Sequence, residues 1–241
     1  MILCQEAARI NTSLEVVFFD LFFTLVTPKY RGLKNENDVL GLSREEWEHY
    51  AEDETLYFQR AIGNIKDPRA IIQSIVDKTN ACVNEETIDE ILKLREKRME
   101  QALIDVDAAI LRALSDLKKS GKKLCLISNS DVIDAMHWAE SPLSSLFDYV
   151  VFSYDVGCLK PQANIYKIAL EQMNVTPERC VFVGDGGSEE LKGAKELGIK
   201  TILTTYLFKR SEKQLNRIKA FADYYIEDFT EIKNIVCNSN E

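Results

Sequence analysis

Four polar clusters stand at the ends of apolar runs, or in the loops that follow them: Asp20 with Thr24, Ser128 with Asn129, Lys160 alone, and Asp185 with Glu189 and Glu190. Their types suit one another. A carboxylate can attack phosphorus or carbon and split one hard displacement into two easier ones. A hydroxyl, an amide and an ammonium can hold an anionic group. Asp185 and a nearby glutamate can complete an oxygen-rich Mg²⁺ site, and glycines at 184, 186 and 187 let the backbone bend tightly beside it. Each cluster also has a plainer use. Asp20 can cap a loop after a strand, Ser128-Asn129-Ser130 can be the N-cap of a helix at Asp131, Lys160 can be a solvated lysine, and residues 184–187 can be a turn. Chemistry requires all four to meet.

The elements that would bring them together can be read from the pattern. Val16 to Phe19 is an unbroken apolar run that stops at Asp20, which suits a strand buried on both faces of a parallel sheet. An unpaired charge is costly to bury, so Asp20 is expected to face a crevice or a cation. From residue 106 onward the texture alternates. Strands are predicted at 123–127, 149–152, 180–183, 201–204 and 224–226. Helices are predicted at 108–119, 131–139, 162–173, 188–197, 211–221 and 229–236. Alternation of this kind implies parallel βαβ units with right-handed crossovers. In such a sheet the carboxyl ends of the strands share one edge, where ligands bind.

Between the first strand and this alternating region lies a stretch without a convincing strand. Ser43-Arg44-Glu45-Glu46 is a capping box, predicted to open a helix that runs through Trp47, Tyr50, Leu56, Tyr57, Phe58 and Ile62 to Gly63. Asp67-Pro68 opens a second, with Ile71, Ile72, Ile75 and Val76 at helical spacing. Asn84 caps a third, with Ile88, Ile91, Leu92, Leu94 and Met99 as its stripe. The expected organisation is an N-terminal extension at 1–13, an α/β core of doubly wound, Rossmann-like parallel sheet at 14–27 and 104–241, and an inserted α-helical domain at 28–103.

The totals narrow the partners. A formal charge of −9 and a sequence pI of about 5.0 disfavour nucleic acid and anionic membrane, which both need a basic patch. No run approaches membrane-spanning length. The six cysteines form no CxxC pair, which argues against zinc. Cys125 and Cys180 fall in strand-like runs as buried thiols. The start lacks a basic segment and a long apolar run, so it does not read as a signal peptide, and the reading is cytoplasmic. His49 and His137 lie near no nucleophile and are read as surface or core residues. A monomer or homodimer is expected.

In order and placement the four clusters resemble the haloacid dehalogenase-like hydrolase superfamily. Its four motifs match here as FFDLFFTLV, LCLISNS, LKP and VFVGDGGSEEL. The likeness covers residues 14–26 and about 106–236, and the insert sits where that family carries a small helical cap. The resemblance implies that Asp20 is a nucleophile forming a covalent aspartyl intermediate. It implies that Ser128 and Lys160 bind and neutralise the transferring group, with Thr24 and Asn129 at the substrate. It also implies Mg²⁺ held by Asp20, the Phe22 backbone carbonyl, Asp185 and Glu190, with Glu189 the weaker match to the family's second acid.

One departure matters. Most phosphatases of that family have a second Asp two residues after the nucleophile, as general acid and base; here that position is Phe22. Loss of a general acid typically costs about 10²–10⁴ in rate. The expected activity is therefore Mg²⁺-dependent hydrolysis of a small phosphorylated metabolite with a good leaving group, or with an acid supplied by the cap. A dehalogenase-like enzyme also fits Phe22, since halide leaves unprotonated, but such members usually lack the acids at 185 and 190. A phosphonate-type enzyme would need a cap lysine, from Lys29, Lys34, Lys66, Lys78, Lys93 or Lys97. A non-catalytic binder of a phosphorylated ligand is the remaining alternative. Arg31, Arg60 and Trp47 are the cap residues to test for substrate contact; the plainer reading, which is favoured for each, is that Trp47 is cap core and both arginines are solvated.

Overall fold

The structure is a computed structural model that describes residues 14–237, so the expected extension at 1–13 lies outside the described residues. Six parallel strands form one sheet: β1 (Val16–Phe19), β2 (Lys123–Ser128), β3 (Tyr149–Phe152), β4 (Cys180–Gly184), β5 (Lys200–Thr204) and β6 (Tyr224–Ile226). Their order is β3-β2-β1-β4-β5-β6. The chain thus runs outward one way from β1 through β2 and β3, then returns to lay β4 against the other side of β1. That reversal makes a switch point at the carboxyl ends of β1 and β4, where a crevice opens. Asp20 and Asp185 each follow one of those two ends. The register pairs Phe19 with Leu126 on one side and Val183 on the other, which brings Asp20, Ser128 and Asp185 to the same edge.

Residues of β1 alternate between two apolar layers. Val17 and Phe19 pack with Leu114, Leu126, Val183 and Phe229; Val16 and Phe18 pack with Ile127, Tyr166, Phe182 and Ala194. Both faces of the sheet are therefore covered, as parallel sheets require. Cys125 and Cys180 are buried and free, and burial pushes the Cys180 thiol up to about 12.

Helices α1 (Glu36–Val39), α2 (Arg44–Ala51), α3 (Glu54–Ala61), α4 (Pro68–Lys78) and α5 (Glu85–Ile104) make the inserted helical cap. Trp47, Ile71, Ile72, Ile75, Ile88, Ile91 and Met99 form its own apolar core, to which Ile133 of the sheet domain adds. The Ser43, Asp67 and Asn84 caps form as expected. The helix expected from Ser43 to Gly63 is instead two, α2 and α3. It breaks at Asp53, whose side chain accepts from Leu56 N and starts a new helix. On α5 the buried face carries Arg95, while Leu92 and Leu94 are only partly buried.

The remaining helices are α6 (Ala108–Lys119), α7 (Val132–Ala135), α8 (Ser153–Val156), α9 (Ala163–Met173), α10 (Glu190–Glu196), α11 (Glu212–Lys219) and α12 (Ile232–Cys237). The helix expected over 131–139 is a single turn, α7, followed by a 3₁₀ turn at Trp138–Glu140. That expected over 188–197 starts at Glu190, because Ser188 and Glu189 are left-handed, with φ of 49° and 50°. No helix among the described residues is long and apolar enough to cross a membrane.

Candidate active site

Asp20 sits in a tight loop after β1. Its amide donates to Val183 O at 2.9 Å, and the loop closes through Leu25 N to Leu21 O at 2.8 Å and a bridge between Phe22 and Val26. The turn places Thr24 so that its Oγ1 donates to Asp20 Oδ2 at 2.8 Å. The other oxygen, Oδ1, is ion-paired with Lys160 Nζ. Lys160 reaches it from the loop after α8. That loop is fastened by Asn129, whose Oδ1 accepts from Lys160 N at 2.8 Å and whose Nδ2 donates to Lys160 O at 3.0 Å. Lys160 Nζ also donates to Glu190 Oε2 at 2.6 Å.

The loop from β4 to α10 supplies two more acids. The left-handed pair Ser188 and Glu189 turns the chain so that Glu190 Oε1 accepts from Gly186 N at 3.1 Å. Gly184 is required for this approach, since a Cβ there would lie 2.1 Å from Glu190 Oε1. Asp185 Oδ1 accepts from Gly187 N at 3.0 Å, and Oδ2 is ion-paired with Arg210. Oxygens of Asp20, Asp185 and Glu190 lie within 4.8 Å of one another, and all three side chains are buried.

The charges are tightly linked. Burial, then the neighbouring Asp20, pushes Glu190 well above the usual carboxylate range, against the pull of Lys160. Burial and Asp20 also raise Asp185, and Arg210 opposes them. Burial alone would lower Lys160, but Asp20 and Glu190 outweigh it and hold the ammonium above ordinary lysine. Three carboxyl groups converge on two cations here, and such a set of oxygen donors suits a hard cation.

The acids open into a cavity of about 440 Å³, within the usual size range for small-molecule sites. Its floor is Asp20, Asn129, Lys160, Asp185 and Glu190. Its walls include Phe22, Phe23, Tyr30, Tyr57 and Met99, with Arg95, Arg98 and Arg210 as further cations. Two expected site residues stand behind this floor. Ser128 is fully buried with its hydroxyl 2.7 Å from that of Ser130, and Thr24 is spent on Asp20; neither lines the cavity.

The two cap arginines expected at the substrate are corrected. Arg31 lies on an exposed loop and pairs with Asp105 at 2.7 Å, in a separate cleft. Arg60 is buried and does not line the cavity; it is paired with Glu52 and Asp131, each at 2.9 Å. Trp47 is cap core. The sequence reading missed Arg95, Arg98, Tyr30, Tyr57 and Arg210. Arg95 carried a signal: it stands four residues after Ile91 and four before Met99, on the apolar stripe of α5. It meets Asp131 at 2.9 Å and Asp134 at 3.1 Å. Arg98 grips Glu36, 62 residues away, which no local pattern announces.

Several known proteins are similar to this chain. A glyceraldehyde 3-phosphate phosphatase of Pyrococcus furiosus is 32% identical over 132 residues, which are 54% of this chain and 53% of that protein. Bifunctional epoxide hydrolase 2 of Rattus norvegicus is 36% identical over 103 residues, 41% of this chain and 18% of that protein. The chain thus spans about half the length of the first and under a fifth of the second. Among solved structures, a HAD family enzyme of Bacteroides thetaiotaomicron in complex with magnesium and inorganic phosphate superposes with a TM-score of 0.64. Its identity is 18%, covering 84% of this chain and 99% of that one. The L-2-haloacid dehalogenase of Xanthobacter autotrophicus gives a TM-score of 0.63 at 16% identity, covering 92% and 98%. These structural likenesses speak for the fold alone. The family model for haloacid dehalogenase-like hydrolase matches residues 14–198, most of the described chain and all four polar clusters, so this protein belongs to the haloacid dehalogenase-like hydrolase family and is an enzyme.

Proposed function

We propose that the protein is a Mg²⁺-dependent hydrolase of a small phosphorylated metabolite, with Asp20 as its nucleophile. The observation that carries this reading is the convergence of Asp20, Asp185 and Glu190 oxygens within 4.8 Å of one another, with Lys160 bonded to two of them. Those three carboxylates and the Phe22 carbonyl would hold the metal. When bound, Mg²⁺ would offset the charge of the transferring phosphoryl group. The phosphatase of Pyrococcus furiosus supports a phosphate ester as substrate.

Thr24 and Lys160 each hold one Asp20 oxygen, which fixes the carboxylate for attack. An Asp20 oxygen forms a bond to phosphorus as the bond from phosphorus to the leaving oxygen breaks, and the electron pair departs with that oxygen. Water then attacks the aspartyl phosphate at phosphorus as the bond from phosphorus to the Asp20 oxygen breaks; that electron pair restores the carboxylate, hydrogen phosphate leaves, and the water's other proton ends on the released alkoxide. Lys160 neutralises charge through both steps. Asn129 keeps Lys160 in place by its two bonds to the backbone of that loop.

A carbon–halogen hydrolase is the second reading, and Phe22 favours it because halide leaves without a proton. The acids at 185 and 190 weigh against it. A phosphonate-type enzyme has less support, since none of the cap lysines lines the cavity. Recombinant protein with Mg²⁺, tested on phosphate esters, acyl phosphates and short 2-haloacids, is expected to release phosphate and to stop when the metal is chelated. Halide release without phosphate, or no product from any compound, would defeat the proposal.

Phe22 yields a separate prediction. With no carboxyl at that position, wild-type turnover should fall steeply as the pKa of the leaving alcohol rises. Phe22→Asp is expected to raise the rate on alkyl phosphates by about 10² and to flatten that slope. The check is kcat/KM across a leaving-group series, with thermal unfolding run alongside. A folded variant with an unchanged slope would show that leaving-group protonation is not what Phe22 removes.

A further inference from the structure

Arg210 lies in the loop that joins β5 to α11, and it grips Asp185 twice. Its Nη2 is ion-paired with Asp185 Oδ2, and its Nε donates to Asp185 O at 3.1 Å. The second carboxylate oxygen already accepts from Gly187 N at 3.0 Å. Each oxygen of Asp185, side chain and backbone, is thus in use. The guanidinium is held from the far side as well. It lies 5.2 Å from the centre of the Phe208 ring, and Phe208 packs at 5.2 Å against Phe23 of the nucleophile loop. The segment 205–211 therefore straps across the site from β5 to the loop after β1, with Arg210 as its ionic end.

Resting on the metal reading of the preceding section, we infer that Arg210 is a built-in counter-ion of Asp185 that competes with the divalent cation for this carboxylate and so sets the metal affinity of the site. Charge balance supports this. With Asp20, Asp185 and Glu190 ionised, Lys160 and Arg210 leave one negative charge over. A divalent cation added with Arg210 still in place leaves one positive charge; added with Arg210 released, it brings the cluster to neutrality. A cation beside a carboxylate typically changes its affinity for a proton by about 10- to 1,000-fold, and a metal ion competes for the same lone pairs. Metal loading then frees the strap, and the strap in turn holds the site closed to weak or scarce cations.

Isothermal titration of the full chain with Mn²⁺ and Mg²⁺ at fixed ionic strength tests this for wild type, Arg210→Gln and Arg210→Lys. The glutamine variant is expected to bind the cation about tenfold more tightly or better, and the lysine variant to stay near wild type. Unchanged or weaker binding by Arg210→Gln overturns the inference while leaving the metal site standing. No binding by any of the three proteins overturns the metal reading itself. A second measurement needs no variant: amide exchange of residues 205–211 in wild type is expected to speed up on adding Mg²⁺, and slower or unchanged exchange counts against Arg210 being displaced.

Discussion

Replacing Asp20 by asparagine is expected to lower turnover on the order of 10⁴-fold or more. The amide keeps the shape and can still accept from Thr24, but it is not a nucleophile and cannot form the aspartyl phosphate. Lys160 retains Glu190, at 2.6 Å, so the buried ammonium is not left without a partner. The variant should therefore fold, which separates chemistry from stability. The measurement is pre-steady-state release of the leaving alcohol with the best substrate in excess over enzyme, with far-ultraviolet circular dichroism and thermal unfolding as controls. A burst in wild type that vanishes in Asp20→Asn supports covalent catalysis. Comparable turnover by the folded variant would mean that bond-making does not pass through Asp20, and the assignment of Asp20 as nucleophile would fall.

Much of this arrangement was legible because its signals are local. An apolar run that ends at Asp20 marks a buried strand and its exposed acid together. Ser43, Asp67 and Asn84 cap helices because a short polar side chain reaches an amide two or three residues on, and each does so. The shared sheet edge then follows from parallel topology, and it delivers Lys160 and Glu190 to Asp20 from 140 and 170 residues away. Other features left no such trace. The break between α2 and α3 is hidden by apolar residues that keep helical spacing across it, although Asp53 stood there as a usable cap. Whether an arginine meets substrate or a distant acid depends on tertiary partners. The partner of Arg31 is 74 residues away, and one of the two partners of Arg60, Asp131, is on the loop after β2. Arg210 was harder still, because a loop cation looks solvated until the loop is seen folded back over Asp185.

Arg95 is expected to anchor the cap. Only 4% exposed, it joins α5 to Asp131 and Asp134 of the sheet domain. Arg60 also reaches Asp131, at 2.9 Å, but has no ion pair with Asp134. Removing one partner of a buried ion pair typically costs about 3–5 kcal/mol, because the other charge stays buried. Arg95→Met keeps the apolar stem and is expected to lose about that much stability in urea unfolding at neutral pH. The loss should depend on pH. Burial, then Asp131, raises the Asp134 carboxyl to about 6, well above its ordinary value. The folded protein therefore takes up that proton more readily than the unfolded chain, so its contribution to stability is present at low pH and is lost as pH rises through about 6. Without the guanidinium the folded-state value climbs further. The gap between Arg95→Met and wild type should then be wider at pH 8 than at pH 5. Adding Asp134→Asn to Arg95→Met should recover part of the loss by removing the stranded charge. A pH-independent loss below about 1 kcal/mol, in the range of exposed pairs, would mean that water from the cavity already solvates the cluster and that Arg95 does not anchor the cap.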